Sequence, residues 1–317
     1  FIGRDAITRQ WPVTGVEPAE RRDTYWAALL GGNFAFVDAR NLSAESQVFG
    51  TISRGVSAIA VDAQGNLYFG GDGQSRRNGI ARADSTLQRW AQYESRVGDG
   101  PRDRVHAMAA SGDAVYAGAS DGVFMLRSDR WQRIAEGDVH ALATTPDRVW
   151  VGTRGTLGWL DRSGRNTRIE FPVQDVYGLA TRGDTLWVAA SGGLYQYAND
   201  VLTQAITGRT FGVAATRDEI VAVTDRGIIV RAAEGWVEVP PHASYATIGR
   251  FISIKANNDR VWFGGTNGLA EWQPATNAWR HLRVPADIPE GPIYDVVQQN
   301  GRLWLATPAG ALGLQWK

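Results

Sequence analysis

The sequence predicts an all-β repeat fold, a β-propeller of four-stranded antiparallel blades. One pattern carries that prediction by returning eight times: an alternating apolar stretch, a polar turn, a second stretch holding an aromatic, then a Gly turn. A period of roughly 40 residues is the mark of a repeat architecture in which stacked units share one core. Apolar and polar residues alternate over short stretches, which is strand periodicity, and no helical stripe is long enough to compete.

The aromatic of the second stretch is Trp26, Tyr68, Tyr116, Trp150, Trp187, Trp262 or Trp304, with Val221 in the remaining unit. First strands begin at Val56, Val105, Val139, Val176, Thr210, Phe251 and Ile293. In the fifth unit the four strands read 176–180, 185–190, 193–198 and 202–206. The turn between second and third strands recurs as Ser120-Asp121-Gly122, Ser191-Gly192-Gly193, Asp225-Arg226-Gly227 and Thr266-Asn267-Gly268. Gly or Asn there supplies a positive φ without steric cost.

The ends of the chain depart from the pattern. Asp23-Thr24-Tyr25-Trp26 aligns with Asp184-Thr185-Leu186-Trp187, but the first strand of that unit would fall in the polar stretch 15–22. The segment 6–11 resembles the fourth strands at 166–171 and 278–282, and the last unit, 293–317, stops after three strands. The expectation is one domain over 1–317, with 1–12 closing the last blade, 13–50 a divergent blade and 51–317 seven clear repeats. That makes eight blades in one ring, or seven if the first unit is an insertion. Closure by the N-terminal strand covers an edge that otherwise invites aggregation, so removing 1–12 is expected to open the ring.

Composition narrows the function. The formal net charge is zero, so no global field draws nucleic acid or an anionic membrane. All basic residues except Lys255 and Lys317 are arginines, which suit carboxylate, sulfate or uronate ligands if they serve a site. With no Cys, disulfides, thiolate metal sites and Cys nucleophiles are excluded. Only two Met are present, which suits exposure to oxidants. No apolar run approaches the roughly 18 residues of a spanning helix. A secreted or periplasmic location is expected, and no cofactor.

The units resemble the two-component-regulator propeller repeat, most clearly in Asp259-Arg260-Val261-Trp262-Phe263-Gly264-Gly265-Thr266-Asn267-Gly268-Leu269 and in Asp147 to Thr153. The likeness covers 56–317 well and 1–55 loosely, and it implies a sensor region or a scaffold for ligand or protein contact. A second resemblance, to the streptogramin B lyase propellers, rests on Val105-His106-Ala107-Met108 and Val139-His140-Ala141-Leu142, with Asp138 two residues before the second His. That family implies catalytic histidines at His106 and His140 and a Glu 14 residues past the second. Arg154 stands at that place here, which removes a general acid/base and repels a metal.

In a propeller the first strands line the central channel, so their starting residues ring one mouth. That ring reads Val16, Ser57, His106, His140, Tyr177, Phe211, Ile252 and Tyr294, and it is the candidate pocket. A second tier from the turns offers Asp72, Asp121, Arg154, Ser191, Asp225 and Asn267. Arg154 beside His140 reads as an anion clamp, and Asp121 beside His106 as the group orienting that imidazole. Two His make a poor metal site without a third ligand such as Asp138 or Asp103.

Long loops, 14–23, 93–104, 240–250 and 284–292, open on the same face and bring His242, Tyr245 and Arg250 as exposed contacts. The insertion 73–78 reads as a flexible basic tip, and His281 as structural. No phosphate loop, HExxH or Gly-x-Ser-x-Gly elbow is present. The function expected is a non-enzymatic binding domain for a small polar ligand, glycan or partner protein. The alternatives are a lyase using His106 and His140, or a rigid subunit of a larger assembly.

Overall fold

A computed structural model describes residues 13–316 apart from 30–32, 42, 48–49, 76, 96–99, 162, 164, 173–174 and 233–234. The described residues form eight antiparallel sheets in chain order, seven of four strands and one of three. Each sheet is an up-and-down meander, so strands adjacent in sequence are paired in space. Tight turns make this possible: Gly122 and Gly227, at φ 146° and 126°, close the turns into third strands where a Cβ would be strained.

Consecutive sheets share cores through the aromatic slot seen in the sequence. Tyr68 packs in one cluster with Val105 and Val115 of the next sheet, Tyr116 with Val139 and Val149, and Trp150 with Val176 and Leu186. Trp187 does so with Val213 and Ile220, and Trp262 with Ile293 and Leu303. Val221 in the sixth sheet keeps the pattern with Ile254 and Val261. The second strands carry small residues where the next sheet presses in: a Cβ on Gly118 would collide with Val139, and one on Gly152 with Val176. Interiors this dense leave no room to absorb it.

The eighth sheet turns back on the second. Trp304 and Ala306 lie in one core with Val56, Ile59, Leu67 and Phe69. Ile59 N–H donates to Asp295 Oδ2 at 2.9 Å, and Gln299 Nε2 donates to Gly65 O. Among the described residues, sheet one is therefore not interposed between eight and two, and consecutive packing runs through sheets two to eight.

The stretch 13–47 does fold as four strands, Val13–Pro18, Thr24–Leu29, Asn33–Asp38 and Ser43–Gln47. Its first strand lies where the sequence looked too polar, and the expected loop 14–23 is in fact that strand and its turn. Polarity is explained by exposure: every residue of Val13–Pro18 is solvent-exposed. Ala27, Ala35 and Val37 bury a small core with Tyr25, while Trp26 is 39% exposed against 1% for its counterpart Trp187. Sheet eight has three strands, Asp295–Gln299, Arg302–Thr307 and Gly310–Gln315. The closing strand expected within 1–12 lies outside the described residues.

Candidate functional site

One residue near the start of each first strand is set apart by a repeated irregularity. In six sheets the register slips by one residue, between Val56 and Ala58, across Val105 and Ala107, Val139 and Ala141, Val176 and Gly178, Thr210 and Gly212, and Phe251 and Ser253. The unpaired residues are Ser57, His106, His140, Tyr177, Phe211 and Ile252. A bulge re-aims its extra side chain away from the sheet, here into the channel. Tyr294 occupies the seventh place, and its N–H donates to Ala306 O at 2.9 Å.

Of the eight expected ring residues, Ser57, His106, His140, Tyr177, Phe211, Ile252 and Tyr294 line one cavity of about 580 Å³. Val16 does not; it is 47% exposed on sheet one. Met108, Leu142, Val213 and Ile254, themselves under 9% exposed, line the same cavity alongside Thr144, Thr181, Ser253, Lys255 and Asp295.

The polar side of the mouth is organised by Asp138. Its Oδ2 lies 3.1 Å from His140 Nε2 and 3.7 Å from Arg154 Nε, and its Oδ1 lies 3.8 Å from His106 Nε2. The two imidazoles stack at 5.0 Å between centroids and 29° between planes. His106 Nε2 is also 3.0 Å from Ser120 Oγ. Burial, then His140 and Arg104, push the His106 imidazole down to about 4, against the upward pull of Asp138. It is thus uncharged at neutral pH.

The unfolded chain protonates His106 near its ordinary 6.5, so between pH 6.5 and about 4 only the unfolded state holds that proton. Its contribution to stability is lost as pH falls through this window. The melting temperature of a His106→Gln protein is expected to drop less than that of the parent between pH 7.5 and 4.5. His140, Asp138, Arg104 and Arg154 remain in both, so parallel curves would sink the assignment.

Several expected site residues have other tasks. Ser57 is 2% exposed, with its Oγ 2.7 Å from Val105 O and 2.9 Å from Gly71 O, so it ties sheet two to sheet three. Asp121 accepts from Arg102 N–H at 3.3 Å; it is Ser120, its neighbour, that meets His106. Asp72 is buried, and its Oδ1 accepts from Gln74 N–H.

His242 caps a one-turn helix, Ala243–Ala246, by accepting from Ser244 N–H, and stacks on Trp279 at 5.0 Å. Tyr245 packs edge-on against Phe263 and burial raises its phenol. The loop 240–250 is thus folded onto its own sheet, with Arg250 exposed. His281 Nδ1 is 3.3 Å from Ser244 Oγ. The insertion 73–78 is anchored by Asn78, 6% exposed, which bonds Ser53, Gly73, Arg102 and Asp103.

Sequence reasoning missed Arg104. Its guanidinium lies 4.5 Å from the Tyr294 ring centroid, its Nε has no partner, and among the described residues it pairs with no carboxylate. The signal available was its place immediately before the strand start Val105, which sets it at the mouth. Also unforeseen was Asp295, 3% exposed, which binds Lys255 Nζ at 3.1 Å in the channel wall. Among the described residues no group of three or more His, Asp or Glu is arranged to hold a metal ion.

No family model matches the chain, and no curated protein is similar to it. Solved structures are. The WD40 β-propeller domain of Doa1 matches with a TM-score of 0.63 at 12% identity, over 85% of this chain and 97% of that one. The extracellular domain of what is named a hybrid two-component system from B. thetaiotaomicron matches at 0.49 and 18% identity, over 96% of this chain. This chain spans about half of that domain, 48% of its length. A computationally designed protein, Ika8, matches at 0.43 and 13% identity. No similarity to streptogramin B lyases is shown. In fold, the chain is similar to β-propellers.

Proposed function

We propose that this chain is a non-enzymatic binding domain, of sensor or scaffold type, whose ligand sits at the channel mouth. One observation carries the reading. Seven mouth positions, six of them bulged, line a single cavity together with Arg104; two of them are exposed aromatics, and Asp138 bridges the imidazoles of two others to Arg154. With His106 uncharged, Asp138 offsets Arg154, and Arg104 leaves the wall net positive. The ligand therefore carries an anionic group. Arg154 where a lyase would need a Glu supports binding over turnover. A secreted or periplasmic place belongs to the same proposal, supported by the absence of Cys and the low Met content.

The test is thermal shift of the purified chain against acidic sugars, other small carboxylates, divalent metals and peptide lactones at pH 5.5 and 7.5. A ligand that binds only the folded state stabilises it by about 2.7 kcal/mol at a hundredfold excess over Kd. The expected result is a carboxylate-dependent shift that a His106→Ala, His140→Ala protein reduces. Opening of a peptide lactone by the parent, abolished in that double variant while binding is retained, would establish the lyase reading instead. A flat screen with capture of a protein partner on the rim would favour the rigid-subunit reading.

A further inference from the structure

The exposed aromatics and the unpaired charge of the mouth together select a ligand class. Beneath the ring, Met108, Leu142, Val213 and Ile254 line the cavity together with Thr144, Thr181, Ser253, Lys255 and Asp295. On the wall contributed by sheets five and six, Tyr177 and Phe211 are each 38% exposed, among the few large apolar side chains of the protein left open to solvent. They stand on neighbouring sheets and offer flat apolar surface at the rim of the cavity. Buried aromatic area of this kind is normally spent on another ring or an apolar body.

The opposite wall has few free hydrogen-bonding groups. The two oxygens of Asp138 are shared among His106, His140 and Arg154, and Ser57 Oγ is held between two main-chain carbonyls. What remains unpaired is Arg104, steadied over the Tyr294 ring and facing no carboxylate among the described residues. A guanidinium held in this way accepts a carboxylate through two parallel N–H···O bonds.

We infer that the mouth binds an aromatic monocarboxylate, its ring against Tyr177 and Phe211 and its carboxylate on Arg104. This rests on the binding reading above and makes it specific. Among the described residues lining the cavity, Lys255 is paired with Asp295 and Arg104 with no carboxylate, which suits a monoanion.

Isothermal titration of the whole chain with three probes at pH 7.5 tests this: benzoate, benzyl alcohol as a ring without charge, and glucuronate as a charge on a hydroxylated ring. Benzoate is expected to bind at one site, with the other two at least about tenfold weaker. Arg104→Gln is expected to weaken benzoate by about tenfold or more, as is Phe211→Ala. Phe211 is partly exposed, so its truncation leaves the fold intact; Tyr177→Ala serves as a second variant on the same wall. Unchanged melting temperatures establish that each variant is folded.

Glucuronate binding as tightly as benzoate, and lost in Arg104→Gln, would overturn the aromatic class while leaving an anion site at the mouth. Benzoate binding that neither Arg104→Gln nor Phe211→Ala alters would place it elsewhere and overturn the inference. Silence from all three probes would overturn it as well, and a shift with another carboxylate in the thermal screen would still carry the broader reading.

Discussion

Replacing Trp304 by Ala is expected to cost the fold about 3–5 kcal/mol, as for other large aromatic truncations in a packed core. The same change at Trp26 is expected to cost no more than about 0.5 kcal/mol. Both residues fill the same slot of the repeat, yet their surroundings differ. Trp304 is 8% exposed and closes the seam between the last sheet and Val56, Ile59 and Leu67. Trp26 belongs to a sheet whose described core contains Ala27, Ala35, Val37 and Tyr25 only, and it is 39% exposed. Chemical denaturation of the two single variants measures the contrast. An eight-sheet ring, with sheet one between eight and two, requires comparable losses at both positions; a large loss at Trp26 would therefore refute the seven-sheet ring.

That contrast also marks where the sequence stops being informative. The strands themselves were legible because period-two alternation and Gly turns are local: six expected strand starts, Val56, Val105, Val139, Val176, Thr210 and Phe251, are the observed ones, and the seventh, Ile293, falls two residues before the observed start at Asp295. The mouth residues followed from them, since any residue one place beyond a strand start falls at the same height in every blade. Which sheet closes on which is not local. Sheet one carries the turn and aromatic of a blade, and its pattern would read the same with a neighbour or without one. Only the packing of Trp304 on sheet two decides it.

The errors at the site have a similar origin. Asp121 was expected on His106, but successive residues of a turn point in different directions, and it is Ser120 that reaches the imidazole. His242 and Tyr245 were expected as exposed contacts; His242 is exposed and Tyr245 half-buried, and both also pack within their own surroundings, on Trp279, Phe263 and Ser244. Arg104 was passed over because its meaning depends on Tyr294, far away in the chain and adjacent only once the ring closes.

Asp295 is the polar counterpart of Trp304 at the seam. Its Oδ2 accepts from Ile59 N–H at 2.9 Å, its Oδ1 accepts from Val296 N–H at 2.9 Å, and Lys255 Nζ lies 3.1 Å from Oδ1. Removing the carboxylate strands two main-chain donors and one ammonium together. Losing one member of a buried pair costs about 3–5 kcal/mol when the remaining charge stays buried. The Lys255 side chain is 40% exposed and can turn toward water, so Asp295→Ala is expected near the lower end, about 3 kcal/mol. Lys255→Met leaves the carboxylate buried without its cation but still bonded to both N–H donors, each such bond worth about 1.5–3 kcal/mol, and is therefore expected to cost less than Asp295→Ala.

The neighbouring residue adds a functional consequence. Tyr294 precedes Asp295 and carries the Arg104 guanidinium, so a seam loosened at residue 295 moves the cation at the mouth. Asp295→Ala is therefore expected to weaken carboxylate binding under conditions where it is still folded, while Lys255→Met does not. Denaturation and titration of the two variants separate the effects. Equal stability losses at Lys255 and Asp295 would show that the carboxylate serves the ammonium alone, and that Ile59 N–H does not depend on it to close the ring.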